Sequence, residues 1–142
     1  MRFHRLGLTF DYPDNWSVDM TDGDGRHAAV TVYAPGGGFW SVSAHAAGGA
    51  DPDALIDAVV TEMQAEYAEL DSEAATEEVQ GRTLRGIDMN FYCLDLTNTA
   101  RIRTLVTTDT VYVVFCQAED REWDDIAPVF QAMTTSLVRG LD

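Results

Sequence analysis

One stretch of the sequence concentrates arginine. Four of the nine arginines lie within 22 residues, at Arg82, Arg85, Arg101 and Arg103. Paired guanidinium groups suit carboxylate or phosphate ligands, because each planar group can donate two parallel hydrogen bonds. Arginine is also, with tyrosine, one of the residue types that anchor protein interfaces. The stretch is therefore a candidate site for an anionic ligand or for a partner protein.

Strand alternation places two of these arginines on one face of a predicted antiparallel sheet. With turns near Thr97-Asn98 and Asp109-Thr110, Tyr92 lies opposite Arg103, and Cys116 lies beside Arg103. That face then carries five side chains of mixed character: Tyr92, Arg101, Arg103, Leu105 and Tyr112. We interpret it as a candidate binding groove.

A structural interpretation of the same arginines is that their aliphatic stems pack under an acidic helix. Their charged heads then pair with carboxylates that have no basic partner on that helix, at Glu62, Glu66 and Glu69. The opposite face of the sheet collects apolar residues and is predicted to be the main core. Cys93 belongs to that opposite face and Cys116 to the arginine face, so we predict no disulfide between them.

Trp40 is a second candidate contact residue. Together with Phe39 it follows the turn Pro35-Gly36-Gly37-Gly38. Alternation along a strand sends one of these two aromatic side chains away from the core, unless a helix covers that side. Trp40 is therefore either a partner-binding residue or a core residue, and the sequence leaves both interpretations open.

No residues with catalytic spacing accompany these candidates. The segment Asp22-Gly23-Asp24-Gly25 resembles part of a calcium loop, but Met20 and Thr31 occupy positions that need acids. The three histidines are scattered, and the two cysteines match no zinc spacing. The sequence has no lysine, which rules out Ser-x-x-Lys, and it has no Gly-x-Ser-x-Gly. We expect no enzymatic activity, no metal and no cofactor.

The charge of the chain limits its partners. Its 142 residues include 24 acidic and 9 basic residues, for a net charge of −15. Such a surface repels phosphate backbones and anionic lipids, so neither nucleic acid nor a membrane is an expected partner. The charge fits solubility alone, a basic partner, or a source with high internal salt. The N-terminal residues show neither a signal peptide nor a lipid-attachment cysteine, so we expect a cytoplasmic location.

Two helices are predicted, each with one apolar stripe. Asp51-Pro52-Asp53 begins the first, because it offers a capping carboxylate and a proline at the first helical position; the stripe reaches Leu70. The second spans about 120–139 and should kink or restart at Pro128, which lacks an N–H.

Alternating or continuous apolar residues predict the strands. They cover residues 8–12, 16–20, 28–34, 39–46, 77–80, 83–96, 100–108 and 111–118. Val111 through Cys116 is apolar at every position, which indicates a strand covered on both faces. Short connections make neighbouring strands antiparallel. The sequence thus predicts one α+β domain over residues 1–142, an antiparallel sheet of six or seven strands flanked by helices.

Several short segments resemble the PsbP-like family, the Mog/PsbP α-β-α sandwich, which includes proteins of the DcrB and LpqN type. The resemblance rests on Gly7 to Trp16, on Val111 to Phe115 with the following Ala118-Glu119-Asp120, and on the closing helix from Phe130 to Leu137. It implies an α/β/α sandwich fold and a role in holding another protein, because most known members of the family are not enzymes and share that role. Known branches include photosystem II subunits, a Ran-binding import factor, lipoproteins and adaptor chaperones for type VI secretion effectors.

The sequence departs from each branch, so no branch's functional residues transfer to it. It lacks the lipoprotein cysteine and a visible transit peptide, and only Asp19, Asp22 and Asp24 loosely resemble the Ran-contact motif. We predict a non-catalytic interaction or adaptor module whose partner is another protein with a basic or hydrophobic segment; a homodimer is a further option. The alternatives are an acidic secretion-type chaperone that masks a hydrophobic client segment, and a carrier of small anionic ligands on the arginine face.

Overall fold

The computed structural model describes residues 1–21 and 27–141. The segment Asp22-Gly23-Asp24-Gly25, considered above as a calcium loop, lies outside the described residues. In chain order the elements are β1 (Arg2–Arg5), β2 (Leu8–Asp11), β3 (Ser17–Thr21), β4 (His27–Tyr33), β5 (Phe39–Ala46), a short 3-10 turn (Ala47–Gly49), α1 (Pro52–Glu66), β6 (Asp71–Val79), β7 (Arg82–Cys93), β8 (Leu96–Val106), β9 (Thr110–Glu119) and α2 (Asp120–Arg139).

Seven strands form one antiparallel sheet in the order β3-β4-β5-β9-β8-β7-β6, and β1 pairs with β2 in a separate two-stranded sheet. The predicted α+β fold, an antiparallel sheet flanked by helices, is confirmed. β6 is longer than the predicted strand at 77–80. β1 escapes the prediction because Phe3 is its single apolar residue. No helix in the described part of the chain is long and apolar enough to cross a membrane.

α2 and the β1–β2 hairpin cover one face of the sheet, which holds the larger core. The rings of Phe10 and Trp40 lie 4.8 Å apart, and Phe130 of α2 meets Trp16 edge-on at 5.8 Å. The sequence predicts the main core on the face of the sheet opposite Arg101 and Arg103. That prediction is wrong, because the N-terminal hairpin adds its own apolar side chains to the α2 face: Phe3, Leu8 and Phe10.

α1 packs on the other face, over β7, β8 and β9. Its buried residue Ile56 belongs to a cluster with Met89 and Phe91 of β7. Tyr67, directly after the helix, stacks on Phe91 with the ring centroids 4.3 Å apart. This second, smaller core holds α1 over one half of the sheet.

β9 is covered on both faces, as its continuous apolar run predicts. Val114 and Cys116 belong to the core under α2. Val113 and Phe115 belong to the core under α1. The strand therefore lies in the middle of the α/β/α layers.

The ends of the helices follow local chemistry. The Asp51 carboxylate caps α1 by accepting from the Asp53 N–H at 3.2 Å. α1 ends at Glu66, earlier than its apolar stripe predicts. α2 passes Pro128 without restarting. Pro128 and Asp124 are both exposed, so water can hydrogen-bond the Asp124 carbonyl that the proline leaves without a donor.

The β7–β8 turn lies at Leu94-Asp95 and not at the predicted Thr97-Asn98. Its two residues have φ of 53° and 64°, a left-handed conformation that Asn and Gly favour, so no turn signal marks them. Tyr92 consequently pairs with Thr97, and Arg103 pairs with Gly86. The displacement is an even number of residues, so every side chain keeps its predicted face.

The β8–β9 register is also displaced from the prediction, again by an even number of residues. Cys116 lies opposite Arg101 and not beside Arg103. Both cysteines are free thiols. Cys93 lies on the α1 face and Cys116 on the α2 face, so the prediction that they do not pair is confirmed although the register behind it is wrong.

Candidate functional site

Arg103 lies in an ion cluster under α2. Only 6% of the residue is exposed. Its Nη2 lies 2.7 Å from Asp88 Oδ1, its Nε lies 3.6 Å from Glu77 Oε2, and its Nη1 donates to the Ile102 carbonyl at 3.0 Å. The arginine stem thus packs under a helix, but the helix is α2 and the carboxylates come from strands β6 and β7. The arginine head groups were expected to pair with carboxylates on the α1 side, at Glu62, Glu66 and Glu69. That expectation is wrong.

Arg101 lies beside this cluster and is partly exposed. Its guanidinium carbon lies 5.0 Å from the centre of the Trp123 ring, a cation–π contact with α2. Its Nε lies 3.7 Å from Asp88 Oδ1, so both arginines approach the same carboxylate. The adjoining cavity measures about 20 Å³, room for roughly one water molecule. The carrier hypothesis needs a deep apolar pocket at these arginines, and this cavity gives it no support.

Cys116 lines the same cavity. Burial raises the pKa of its thiol from 9.0 to about 12, although the charges of Arg101 and Arg103 act in the opposite direction. Since the thiolate is the nucleophile and metal ligand, this sulfur is unsuited to either role at neutral pH. Across residues 1–21 and 27–141, no three His, Cys, Asp or Glu side chains are grouped to hold a metal ion.

The two candidate tyrosines lie far from one another on the arginine face. Tyr92 is 59% exposed near the β7–β8 turn, and its partner Thr97 lies four residues from Arg101, about 13 Å along the strand. Tyr112 pairs with Leu105 and packs toward the C-terminal end of α2. The arginine face is therefore an ion cluster between two separated tyrosines, which corrects the prediction of one continuous groove.

Trp40 belongs to the core. Its relative exposure is 0%, and its Nε1–H donates to Thr134 Oγ1 of α2 at 3.0 Å. Phe39 is the residue of this pair that points to the other face. Of the two interpretations left open by the sequence, the structure selects core packing, and Trp40 presents no surface to a partner.

An open surface lies on the α1 side of the sheet. Seven strands spaced about 4.8 Å apart span roughly 29 Å, whereas a helix with its side chains is about 10–12 Å across. α1 lies over β7, β8 and β9. No described helix lies over β3, β4 and β5 on this face. Those three strands therefore present one side to solvent, next to α1.

A groove of about 330 Å³ runs between α1 and this open half of the sheet. We call it the α1 groove. Its wall comes from α1: Val59, Glu62, Met63 and Glu66. Its floor comes from β5 and β9: Ser41, Ser43, Val113 and Phe115. The floor residues share one face because Ser41 pairs with Phe115 and Ser43 with Val113, and the two small serines give the groove its depth.

Three aromatic rings cross the sheet at one end of the α1 groove. The Phe39 ring lies 5.8 Å from Phe115 and 6.1 Å from Tyr33, measured between centroids. Tyr33, the outermost of the three, is 43% exposed. A partly exposed aromatic row beside a small-residue floor offers a contact for an apolar side chain.

The wall of the α1 groove is acidic. Glu62 and Glu66 are exposed, and neither has an ion-pair partner among the described side chains. α1 itself contains no basic residue. Burial, and after it the negative charge of Glu66, raises the pKa of Tyr67 at the end of the helix. The groove is thus suited to a cationic group.

Sequence reasoning missed the α1 groove, although two signals for it exist. In β5 the polar Ser41 and Ser43 alternate with the buried Trp40 and Val42, which is typical of a strand with one side in solvent. The carboxylates of α1 also lack basic neighbours in the sequence. Neither signal shows which strands the helix leaves open.

No protein-family model and no curated protein matches this chain. Its structure is similar to cyanobacterial PsbP (CyanoP) from Synechocystis sp. PCC 6803, with a TM-score of 0.61 and 14% identity over 96% of this chain and 89% of that one. It is also similar to PA94, a protein of unknown function from Pseudomonas aeruginosa, with a TM-score of 0.55 and 13% identity over 96% and 94% of the two chains.

A third similar structure is a protein from Bacteroides thetaiotaomicron VPI-5482, with a TM-score of 0.60 and 14% identity. The match covers 91% of this chain but 43% of the other, so this chain spans less than half of that protein. None of the three is named as an enzyme. At sequence identities of 13–14%, these similarities support a conclusion about the fold alone. On that ground the chain has the PsbP-like fold that its N-terminal segment, late strand and closing helix predict.

Proposed function

We propose that this chain is a non-catalytic protein-interaction module whose α1 groove receives a partner segment with basic and apolar side chains. The observation that carries the proposal is the half of the sheet face that α1 leaves open. This face is not a uniformly polar, solvated surface, since its aromatic row includes the 43% exposed Tyr33.

The chemistry of the partner follows from charge and apolar contact. Glu62 and Glu66 face an approaching segment from the wall, and the net charge of −15 favours a basic one. Phe39 and Phe115 supply the apolar contact next to these carboxylates. A secretion-type chaperone uses the same surface under this proposal, and the identity of the partner separates it from a general adaptor.

Site-specific cross-linking tests the surface. A photoreactive phenylalanine replaces Thr31, which pairs with Ser41 in the open half of the sheet, and in a control protein it replaces Thr76 on the edge strand β6. We expect one discrete adduct in native cells from position 31 and none from position 76. No adduct at either position, or equal adducts at both, contradicts the proposed surface.

Charge variants test the chemistry of the wall with the captured partner. Glu62→Gln with Glu66→Gln removes two charges from the groove. Asp57→Asn with Glu69→Gln removes two exposed charges that do not line it. We expect roughly tenfold weaker binding for the first pair, the value for two exposed ion pairs, and less than about twofold for the control. Equal losses for the two pairs indicate unspecific electrostatics and contradict a groove-bound basic segment.

A further inference from the structure

The ion cluster under α2 contains donors and acceptors that approach one another without meeting. Arg103 Nε and Glu77 Oε2 are 3.6 Å apart, and Arg101 Nε and Asp88 Oδ1 are 3.7 Å apart. Both distances exceed that of a hydrogen bond. The two Nε atoms are buried and have no hydrogen-bond partner in the described residues. A polar contact that falls just outside hydrogen-bond range is where a bridging water belongs.

The cavity of about 20 Å³ lies against these groups, with Arg101, Arg103 and Glu77 in its wall. One water molecule needs about 10–15 Å³ of such space and two to four polar partners. The two Nε–H groups are donors and the Glu77 carboxylate is an acceptor, which gives three. The Thr134 hydroxyl in the same wall is already used, since it donates to the Phe130 carbonyl and accepts from Trp40.

We propose that this cavity is a binding site for a single internal water molecule, which accepts from Arg103 Nε and Arg101 Nε and donates to Glu77. A halide or oxyanion fits less well, because Glu77 faces the cavity and Asp88 neutralises the arginines from the other side. The water closes the cluster. It satisfies both Nε donors, so neither Nε is available to an outside carboxylate or phosphate.

Water NMR tests the site in the intact protein. The Nε–H resonance of Arg103 should show a cross-relaxation peak to water with the sign of a long-lived complex. The Nε–H of the exposed Arg139 should show none of that sign. If Arg103 behaves like Arg139, the proposal is wrong.

A matched pair of variants on α2 tests whether the water peak of Arg103 disappears when a larger side chain fills the cavity. Ala127 lines the cavity, whereas Ala132 lies on the exposed side of the same helix. Ala127→Val should remove the water peak of Arg103 and shift its Nε resonance, and Ala132→Val should change neither. A water peak that persists in folded Ala127→Val contradicts the assignment.

Crystals of the unaltered protein grown in potassium bromide give a test that does not depend on any variant folding. A single water-sized peak within hydrogen-bond distance of Arg103 Nε and Glu77 Oε2, without anomalous signal, supports the proposal. An anomalous bromide peak there makes the site an anion site and overturns it. The absence of any peak overturns it as well.

Discussion

Replacing Arg103 by methionine should lower the free energy of unfolding by about 3 kcal/mol. Methionine is long, unbranched and adaptable, so the substitution removes charge and donors while it fills much of the same space. It leaves Asp88 and Glu77 under α2 without the cation that lies between them. The loss therefore reports the ion cluster rather than a cavity.

The magnitude follows from distance and burial. At 2.7 Å between Nη2 and Asp88 Oδ1, the attraction is about 6 kcal/mol for an effective dielectric constant of 20, and much of it offsets the desolvation of the charges. Removing one partner of a buried pair typically costs about 3–5 kcal/mol. The lower end applies here, because the side chains of Asp88 and Glu77 keep 35% and 27% of their exposure.

Urea unfolding of three proteins measures the effect: the original chain, Arg103→Met and Arg85→Met. Arg85 forms a surface pair with Asp53 at 3.1 Å, with both side chains about two-thirds exposed, and such pairs contribute about 0–1 kcal/mol. Equal destabilisation by the two substitutions would refute the burial argument. A midpoint shift with an unchanged denaturant slope identifies the change as one of stability.

Three further predictions follow from backbone packing, thiol burial and net charge. A Cβ on Gly86 overlaps the Ile102 carbonyl oxygen, and backbone cannot rotate away, so Gly86→Ala should cost at least about 3 kcal/mol in urea unfolding. Gly48→Ala, which meets no atom within 4 Å, should change stability by less than about 0.5 kcal/mol; similar losses would contradict the overlap. Between pH 9.0 and about 12 the unfolded Cys116 thiol releases its proton before the folded one does. Stability should therefore fall by about 1.4 kcal/mol per pH unit relative to a Cys116→Val variant, and parallel pH curves for the two proteins would exclude this cause. Because the net charge is −15, the melting temperature should rise as added potassium chloride shortens the Debye length from about 30 to 3 Å; a flat profile would show that repulsion does not limit stability.

The parts of the fold that follow from sequence are those set by periodicity. The apolar stripe of α2 and the uninterrupted run in β9 both depend only on side chains near in sequence, and both are confirmed. β1 was out of reach because one phenylalanine among two arginines and a histidine has no period. That strand matters, since its hairpin moves the larger core to the α2 face.

The sequence predicted on which face of the sheet the side chains of β7, β8 and β9 lie, but not which residues are paired across these strands. Leu94 and Asp95 adopt positive φ without being Asn or Gly, so the turn carries no local signal. An even displacement conserves every face, which is why the separation of Cys93 from Cys116 survives. The same displacement changes every cross-strand neighbour, and Arg103 faces Gly86 where Tyr92 was expected.

That change of neighbour decides what the arginines do. Opposite a tyrosine, Arg103 would meet a bulky ring and point toward solvent or a ligand. Opposite Gly86 there is no side chain, and the guanidinium reaches Asp88 on the same strand as the glycine and Glu77 on the strand beyond it.

The proposed functional surface depends on an equally non-local fact, namely that α1 covers β7 to β9 and leaves β3 to β5 open. The alternation of Ser41 and Ser43 with buried residues indicates that one side of β5 faces solvent. Only the assembled sheet, with α1 packed on it, shows that Glu62 and Glu66 lie beside those serines. A surface assembled from a helix and from strands on both sides of it in sequence therefore becomes visible only once the sheet is assembled.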